Sequence, residues 1–255
     1  MVAISQLPDL RGALVGSVLR MCVDLRGLDE RPLDALRVLL VADVAGRVVE
    51  HVAGGEVHLA VLERDTAAAR ARRLTEASLW IREPAARVVD PNEVTESLGG
   101  SVALSLGPEH WDVPEGSSGP RVLRVGAVCA HRMDEDYLHW LTDDDQLMLR
   151  LALLRFRYRD RADLSAARIR RAAESLQRWR FKVAGWAERP PAPPVDTEES
   201  RGHLVRDLDT VLALRFLHRV EIDPQSASGS KFETFVGLDR VLALDLSQEV
   251  GKLRH

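Results

Sequence analysis

Val18-Leu-Arg-Met-Cys-Val-Asp-Leu25 is a β-rich run that leads through a polar loop into a segment carrying Leu36, Leu40, Val44, Val48 and Val52 at four-residue spacing. Gly54-Gly55 stops that segment, and Val57-His-Leu-Ala-Val-Leu62 follows as a second apolar run. The middle period is that of an amphipathic helix, and the two flanking runs have the length of buried strands. A strand, a helix and a strand joined this tightly imply two parallel neighbours with a crossover between them, so this stretch decides the fold class.

Outward from it the alternation continues. Ala67 to Leu74 predicts an Ala/Arg-rich helix, Ser78 to Arg82 a strand, Asn92 to Leu98 a short helix and Ser101 to Leu106 another strand. Pro114 to Pro120 reads as a loop, and Arg121 to Val128 as a last strand. After about residue 130 the pattern becomes helical. A helix is expected from Glu135 to Arg157, and Ile169, Ala172, Leu176, Trp179, Val183 and Trp186 then recur at 3-4-3-4-3 spacing, the seam of a packed bundle. Four prolines between Glu188 and Thr197 predict a stiff connection. Further helices are expected over about Glu198 to Val220 and Lys231 to Leu244, with a turn from Asp223 to Ser230. The expected fold class is therefore α/β, a Rossmann-like parallel sheet over 1–132 followed by an all-α helical bundle over 133–255 with its Pro-rich connection at 188–197.

Composition narrows the function classes. The 255 residues carry 35 Lys+Arg against 39 Asp+Glu, a formal charge of −4, which gives no global reason to expect a nucleic-acid coat or a membrane-surface binder. The apolar stretch from Leu33 to Val52 is broken by Asp34, Arg37, Asp43 and Arg47, so it is no spanning helix. The first residues lack a basic start, an unbroken apolar segment and a small-residue cleavage site, and Cys22 and Cys129 are too few for a disulfide framework. A cytoplasmic location and no membrane partner are the expectation.

The second half carries, in this order, Leu149-Arg-Leu-Ala-Leu-Leu-Arg-Phe-Arg-Tyr-Arg159, Leu164-Ser165, Leu176-Gln-Arg-Trp-Arg180, Asp207-Leu-Asp-Thr210 and Leu238-Asp-Arg-Val-Leu-Ala-Leu-Asp-Leu246. In sequence and order these resemble the helical region of cysteinyl-tRNA synthetases and of the related cysteine ligase of mycothiol synthesis. The resemblance covers roughly residues 145 to 250. In the first half, Met21-Cys-Val-Asp-Leu-Arg-Gly-Leu-Asp-Glu-Arg-Pro-Leu-Asp-Ala-Leu-Arg-Val38 and then Asp43-Val-Ala-Gly-Arg47 are similar, without a gap, to the family's first strand, signature loop and following helix. In that register the two signature histidines, which the family uses on ATP's phosphates, fall on Leu33 and Leu36. The intervening glycine falls on Ala35 and the zinc-binding cysteine on Asp24, with Cys22 in place of a tyrosine.

The resemblance thus implies an inherited fold whose chemistry has been lost. Charge on a transferring adenylyl group must be met by positioned donors or cations, and leucine supplies neither. One aspartate and scattered histidines are a poor replacement for the ligands of a cysteine-selecting zinc ion. Glu93-Val-Thr-Glu-Ser-Leu-Gly99 ends like the second signature, KMSKS, but glutamates stand where its lysines would be, so Asn92 is read instead as the cap of a short helix ending at Gly99-Gly100. The family's large active-site insert and its further C-terminal anticodon reader are not expected, which brings the chain closer to the mycothiol ligase.

The remaining candidates are few. Cys129-Ala-His131 with Asp134 and Asp136 has metal-binding residue types without a zinc spacing, and the other histidines are scattered. No Gly-x-Ser-x-Gly elbow is present, which disfavours a hydrolase. Asp24, Arg26, Asp29 and Arg37 form a candidate ligand pocket, because ligands of open α/β sheets collect at the carboxyl ends of strands. Arg155 to Lys182 holds ten basic residues against three acidic ones, and Arg155, Arg157, Arg159, Arg168, Arg171 and Arg178 form a candidate polyanion face or a solvated one. Three functions are expected: a catalytically defective cysteine-ligase-like protein acting through an unidentified protein or small-molecule partner, an ATP-dependent ligase with a rebuilt site, and an RNA-binding regulatory module. No catalytic residue and no metal are assigned. ATP is the cofactor a surviving nucleotide pocket would take, zinc is not expected, and tRNA is the less favoured partner.

Overall fold

The computed structural model describes residues 18–111, 121–130 and 146–252. Its first half is a five-stranded sheet. Strand β1 (Val18–Asp24) runs into helix α1 (Pro32–Val48), which continues as a wider π-helical turn over Val49–Ala53 and ends on Gly54 in the left-handed region, φ 73°. Pro32 suits the first turn of α1, where its missing N–H is no loss. Strand β2 (Glu56–Leu62) returns parallel to β1 in the register Val18 to Glu56 through Asp24 to Leu62. Helix α2 (Ala67–Ser78), strand β3 (Ala86–Val88), helix α3 (Glu93–Ser97), strand β4 (Leu104–Pro108) and strand β5 (Arg121–Val125) complete the layer. The order is β3-β2-β1-β4-β5 and every pairing is parallel. The chain turns outward in one direction from β1 and then in the other, so the ends of β1 and β4 flank the reversal of strand order.

Both faces of this sheet are covered, as a parallel sheet requires. Met21, Val23, Leu59, Val61, Leu104, Leu106 and Leu123 belong to the main core beneath α1. Cys22, Ala60, Leu62 and Val88 form a smaller cluster with Val94 and Leu98 of the α3 region. Helix α1 is buried on nearly every side, because it lies between the sheet and the helices that follow.

Strand β6 (Val128–Ala130) pairs in parallel with β7 (Ala162–Leu164) as a separate ribbon. Helices α4 (Leu147–Leu154), α5 (Ala166–Ala187), α6 (Glu198–Asp207), α7 (Thr210–Ile222) and α8 (Ser228–Leu242) make up the second half. The expected seam is observed: Ile169, Ala172, Leu176, Trp179 and Val183 of α5 are buried and Trp186 is partly so. Trp179 and Trp186 both meet the ring of Phe235 edge-on, at 5.9 and 5.1 Å between centroids, which joins α5 to α8. Helix α8 also packs on α1, and one apolar cluster continues from the sheet into the helices.

Several expectations need correction. No strand spans Ser78 to Arg82. Leu79 and Ile81 are buried and Trp80 exposed, which imitates strand alternation, but Trp80 lies at φ 54° in a turn held by Arg150, and the strand comes after Pro84. The helix expected over Glu198 to Val220 is broken at Leu208, φ 49°, where Asp209 accepts from the Leu212 N–H and starts a new helix. The run from Arg121 to Val128 is two strands, because the Gly126 N–H leaves the sheet to donate to the Tyr158 carbonyl. Asn92 does not cap α3; its amide and side chain donate instead to Asp90. The loop Pro114 to Pro120, the helix before residue 146, and His131, Asp134 and Asp136 of the candidate metal cluster lie outside the described residues.

Candidate functional site

The loop after β1 is built from residues that close on one another. The Asp24 carboxylate is 3% exposed at the end of the strand. It accepts from the Arg26 N–H at 3.0 Å, from Nε at 3.0 Å and from Nη2 at 2.7 Å, so the arginine chelates it from two positions along the chain. Cys22 shares this side of β1, and burial, followed by the Asp24 charge, pushes its thiol up to about 11, which keeps it protonated. Asp29 accepts from the Thr66 hydroxyl at 3.0 Å, and the same oxygen accepts from the Ala69 N–H in the first turn of α2. Arg31, exposed at the start of α1, has no carboxylate partner among the described residues.

Arg37 points away from this loop chemistry. Its guanidinium is 1% exposed and donates to the carbonyls of Gly126 at 2.8 Å, Ala127 at 3.1 Å and Arg157 at 2.9 Å. Burial lowers it to about 10, still a cation at neutral pH. Asp34 accepts from the Val128 N–H at 2.6 Å, so both charged residues of the first two turns of α1 fasten the crossover to the second half. Leu36 is 1% exposed in the main core and Leu33 packs against it. Of the four candidate pocket residues, Asp24 and Arg26 meet, Asp29 joins α2, and Arg37 shares no partner with them. Leu33 and Leu36 offer no donor or cation to a phosphate, and Arg26 already occupies the Asp24 carboxylate.

The six arginines of the candidate polyanion face are also divided. Arg157 pairs with Asp209, Arg159 with Asp207 and Arg168 with Asp163. Arg155, Arg171 and Arg178 lie together beside a groove between α5 and α7. Arg171, Ser175, Arg178 and Lys182 recur at helical spacing along α5, and Val211, Arg215 and His218 do the same along α7. The groove holds about 660 Å³ and is floored by Trp179, Val211 and Leu214. Arg155 follows α4, donates to the Ser175 hydroxyl at 2.8 Å and has no carboxylate partner among the described residues. Burial lowers its pKa, and the nearby charges of Arg178 and Arg171 lower it further.

Glu221 is the one carboxylate in contact with this group among the described residues. Burial would raise it, but hydrogen bonds from Arg178, Lys182, Trp179 and His218 outweigh burial and hold it at about 2. A second recess of about 300 Å³ shares Arg215 and Arg219 with the groove and adds Glu199, Ser200 and His203.

Compared with known proteins, the chain matches no family model and no curated protein.

No helix among the described residues is long and apolar enough to cross a membrane. The sequence reading singled out Arg155, Arg171 and Arg178 but missed Arg215, His218 and Arg219, since these come from a helix separated by the proline-rich connection. Arg215-Phe-Leu-His218-Arg219 within an otherwise apolar helix was the signal that could have found them.

Proposed function

We propose that this chain acts by binding rather than by turnover, as a catalytically defective relative of the cysteine ligases that keeps a Rossmann-like sheet and a helical bundle. The observation that carries this reading is the commitment of Leu36 and Arg37 to the interior. Adenylate formation needs donors aimed at the charge that develops on the transferring phosphoryl group. At the position the resemblance gives to one signature histidine stands a core leucine, and the neighbouring cation donates to three backbone carbonyls. Arg26 is held by Asp24, the residue at the place of the zinc-binding cysteine. The chain's own residues therefore orient the loop and exclude water from the end of β1 without offering a proton acceptor to a substrate amine. A cytoplasmic setting belongs to the same proposal, in keeping with two free cysteines, Cys22 and Cys129.

Pyrophosphate exchange tests it. The purified chain with ATP, cysteine and labelled pyrophosphate is expected to return no label to ATP above the protein-free background. Exchange that saturates with both ATP and cysteine would replace this reading with a working ligase whose site has been rebuilt.

A further inference from the structure

We infer that the groove between α5 and α7 is a binding site for a small organic phosphate, its anionic group held by Arg155, Arg215 and Arg219 and its apolar part lying on the floor of Trp179, Val211 and Leu214. This goes beyond the reading above, because the groove draws nothing from the loop after β1 and adenylate exchange can succeed or fail without touching it.

Three observations support the inference. The first is unbalanced charge. Arg155, Arg171, Arg215 and Arg219 have no carboxylate partner among the described residues, whereas Arg157, Arg159 and Arg168 nearby are each paired. Glu221 offsets only part of the excess, since its two oxygens already receive Arg178, Lys182, Trp179 and His218. Like charges held along a concave wall focus positive potential into the groove, and a dianion relieves their repulsion. The second is donor chemistry. Planar guanidinium groups bind phosphate through paired N–H donors, and Arg219 is steadied by the ring of Phe216 at 5.6 Å.

The third is size and composition. A concave site of about 660 Å³ lined by Trp179, Val211 and Leu214 together with a few polar groups suits a small molecule. A single-stranded nucleic acid would need a series of aromatic faces for its successive bases, and the groove's lining offers one indole, Trp179, whose N–H already donates to Glu221 at 2.9 Å. The adjoining recess also carries the exposed Glu199 carboxylate, which opposes a phosphate backbone continuing past Arg215.

Calorimetric titration of the full chain at constant ionic strength, with phenyl phosphate and inorganic phosphate as probes, tests the proposal. One phenyl phosphate should bind per chain, roughly tenfold tighter than inorganic phosphate because its ring covers the apolar floor. Arg155→Ala and Arg215→Ala should each weaken it by roughly tenfold or more, as expected for loss of a charged hydrogen bond. Arg170→Ala, on the same helix but outside the groove, should leave binding unchanged. Should either alanine variant fold poorly, Arg155→Gln and Arg215→Gln retain the side-chain bulk and carry the same expectation. Absence of phenyl phosphate binding, or binding unchanged in the Arg155→Ala/Arg215→Ala double variant, would overturn the proposal. So would salt-sensitive binding of poly(U) without binding of phenyl phosphate, which would make the face a nucleic-acid surface.

Discussion

Removing the carboxylate of Asp43 should destabilise the protein more than any surface change. Asp43 lies on α1 and Arg150 on α4, and both side chains are 0% exposed. Arg150 donates to Asp43 Oδ2, to the Leu242 carbonyl at 2.7 Å and to the Leu79 carbonyl at 2.9 Å. One guanidinium thus ties the end of α8, the turn after α2 and the centre of α1 together. Asp43 also accepts from the Arg82 N–H at 3.1 Å and from Arg47 Nε at 2.9 Å. Asp43→Ala leaves the buried cation with neutral carbonyls alone. Breaking a buried pair from one side costs about 3 to 5 kcal/mol. Against a total stability of about 5 to 15 kcal/mol this is about a fifth or more of what holds the fold together. Urea titration followed by far-UV circular dichroism measures the loss. The double variant Asp43→Ala/Arg150→Met removes both charges, and it should lose less than the sum of the single variants by about 2 kcal/mol. A loss below about 1 kcal/mol for Asp43→Ala, or strictly additive effects in the double variant, would refute the reasoning.

Other perturbations follow from the same contacts. Arg37→Met should cost about 2 to 4 kcal/mol in urea titration, because the carbonyls of Gly126, Ala127 and Arg157 lose a charged donor in the interior. The Glu221 carboxyl is held below the ordinary value of 4.5, so its stabilisation is complete above about pH 4.5 and is lost as pH falls toward about 2. Because Arg178, Lys182 and His218 are 37–59% exposed, screening limits that contribution to about 1 to 2 kcal/mol, and Glu221→Gln should flatten this part of the acid limb of a stability profile. Gly229→Ala should lower the melting temperature, because an added methyl would strike the backbone of Pro190 and Ala192, where the proline-rich connection crosses the start of α8.

The sheet was legible because the decisive stretch carries its period openly: Met21, Val23, Leu36, Leu40, Leu59 and Val61 all fall in the core where spacing put them. Ser78 to Arg82 misled because alternation of buried and exposed residues arises from a turn as readily as from a strand. The carbonyls of Leu79 and Trp80 are held by Arg150, 71 and 70 residues away, which no local window contains. Arg37 was read as a pocket residue for a similar reason. Its position near a strand end is a sequence property, but its three acceptors lie on segments about 90 and 120 residues distant. Asp24 and Arg26, two residues apart, could be paired from the sequence. The groove was half legible: the basic excess between Arg155 and Lys182 was visible, but its sorting into paired and unpaired arginines depends on Asp207, Asp209 and Glu221 from later helices.

With the loop after β1 satisfied from within, the proposed recognition site is the groove between α5 and α7. Amide hydrogen exchange of the full chain with and without saturating phenyl phosphate tests this most directly. Slower exchange is expected in peptides covering 171–182 and 211–219, with residues 24–37 unchanged. Protection confined to 24–37, or absent from both regions, would contradict it.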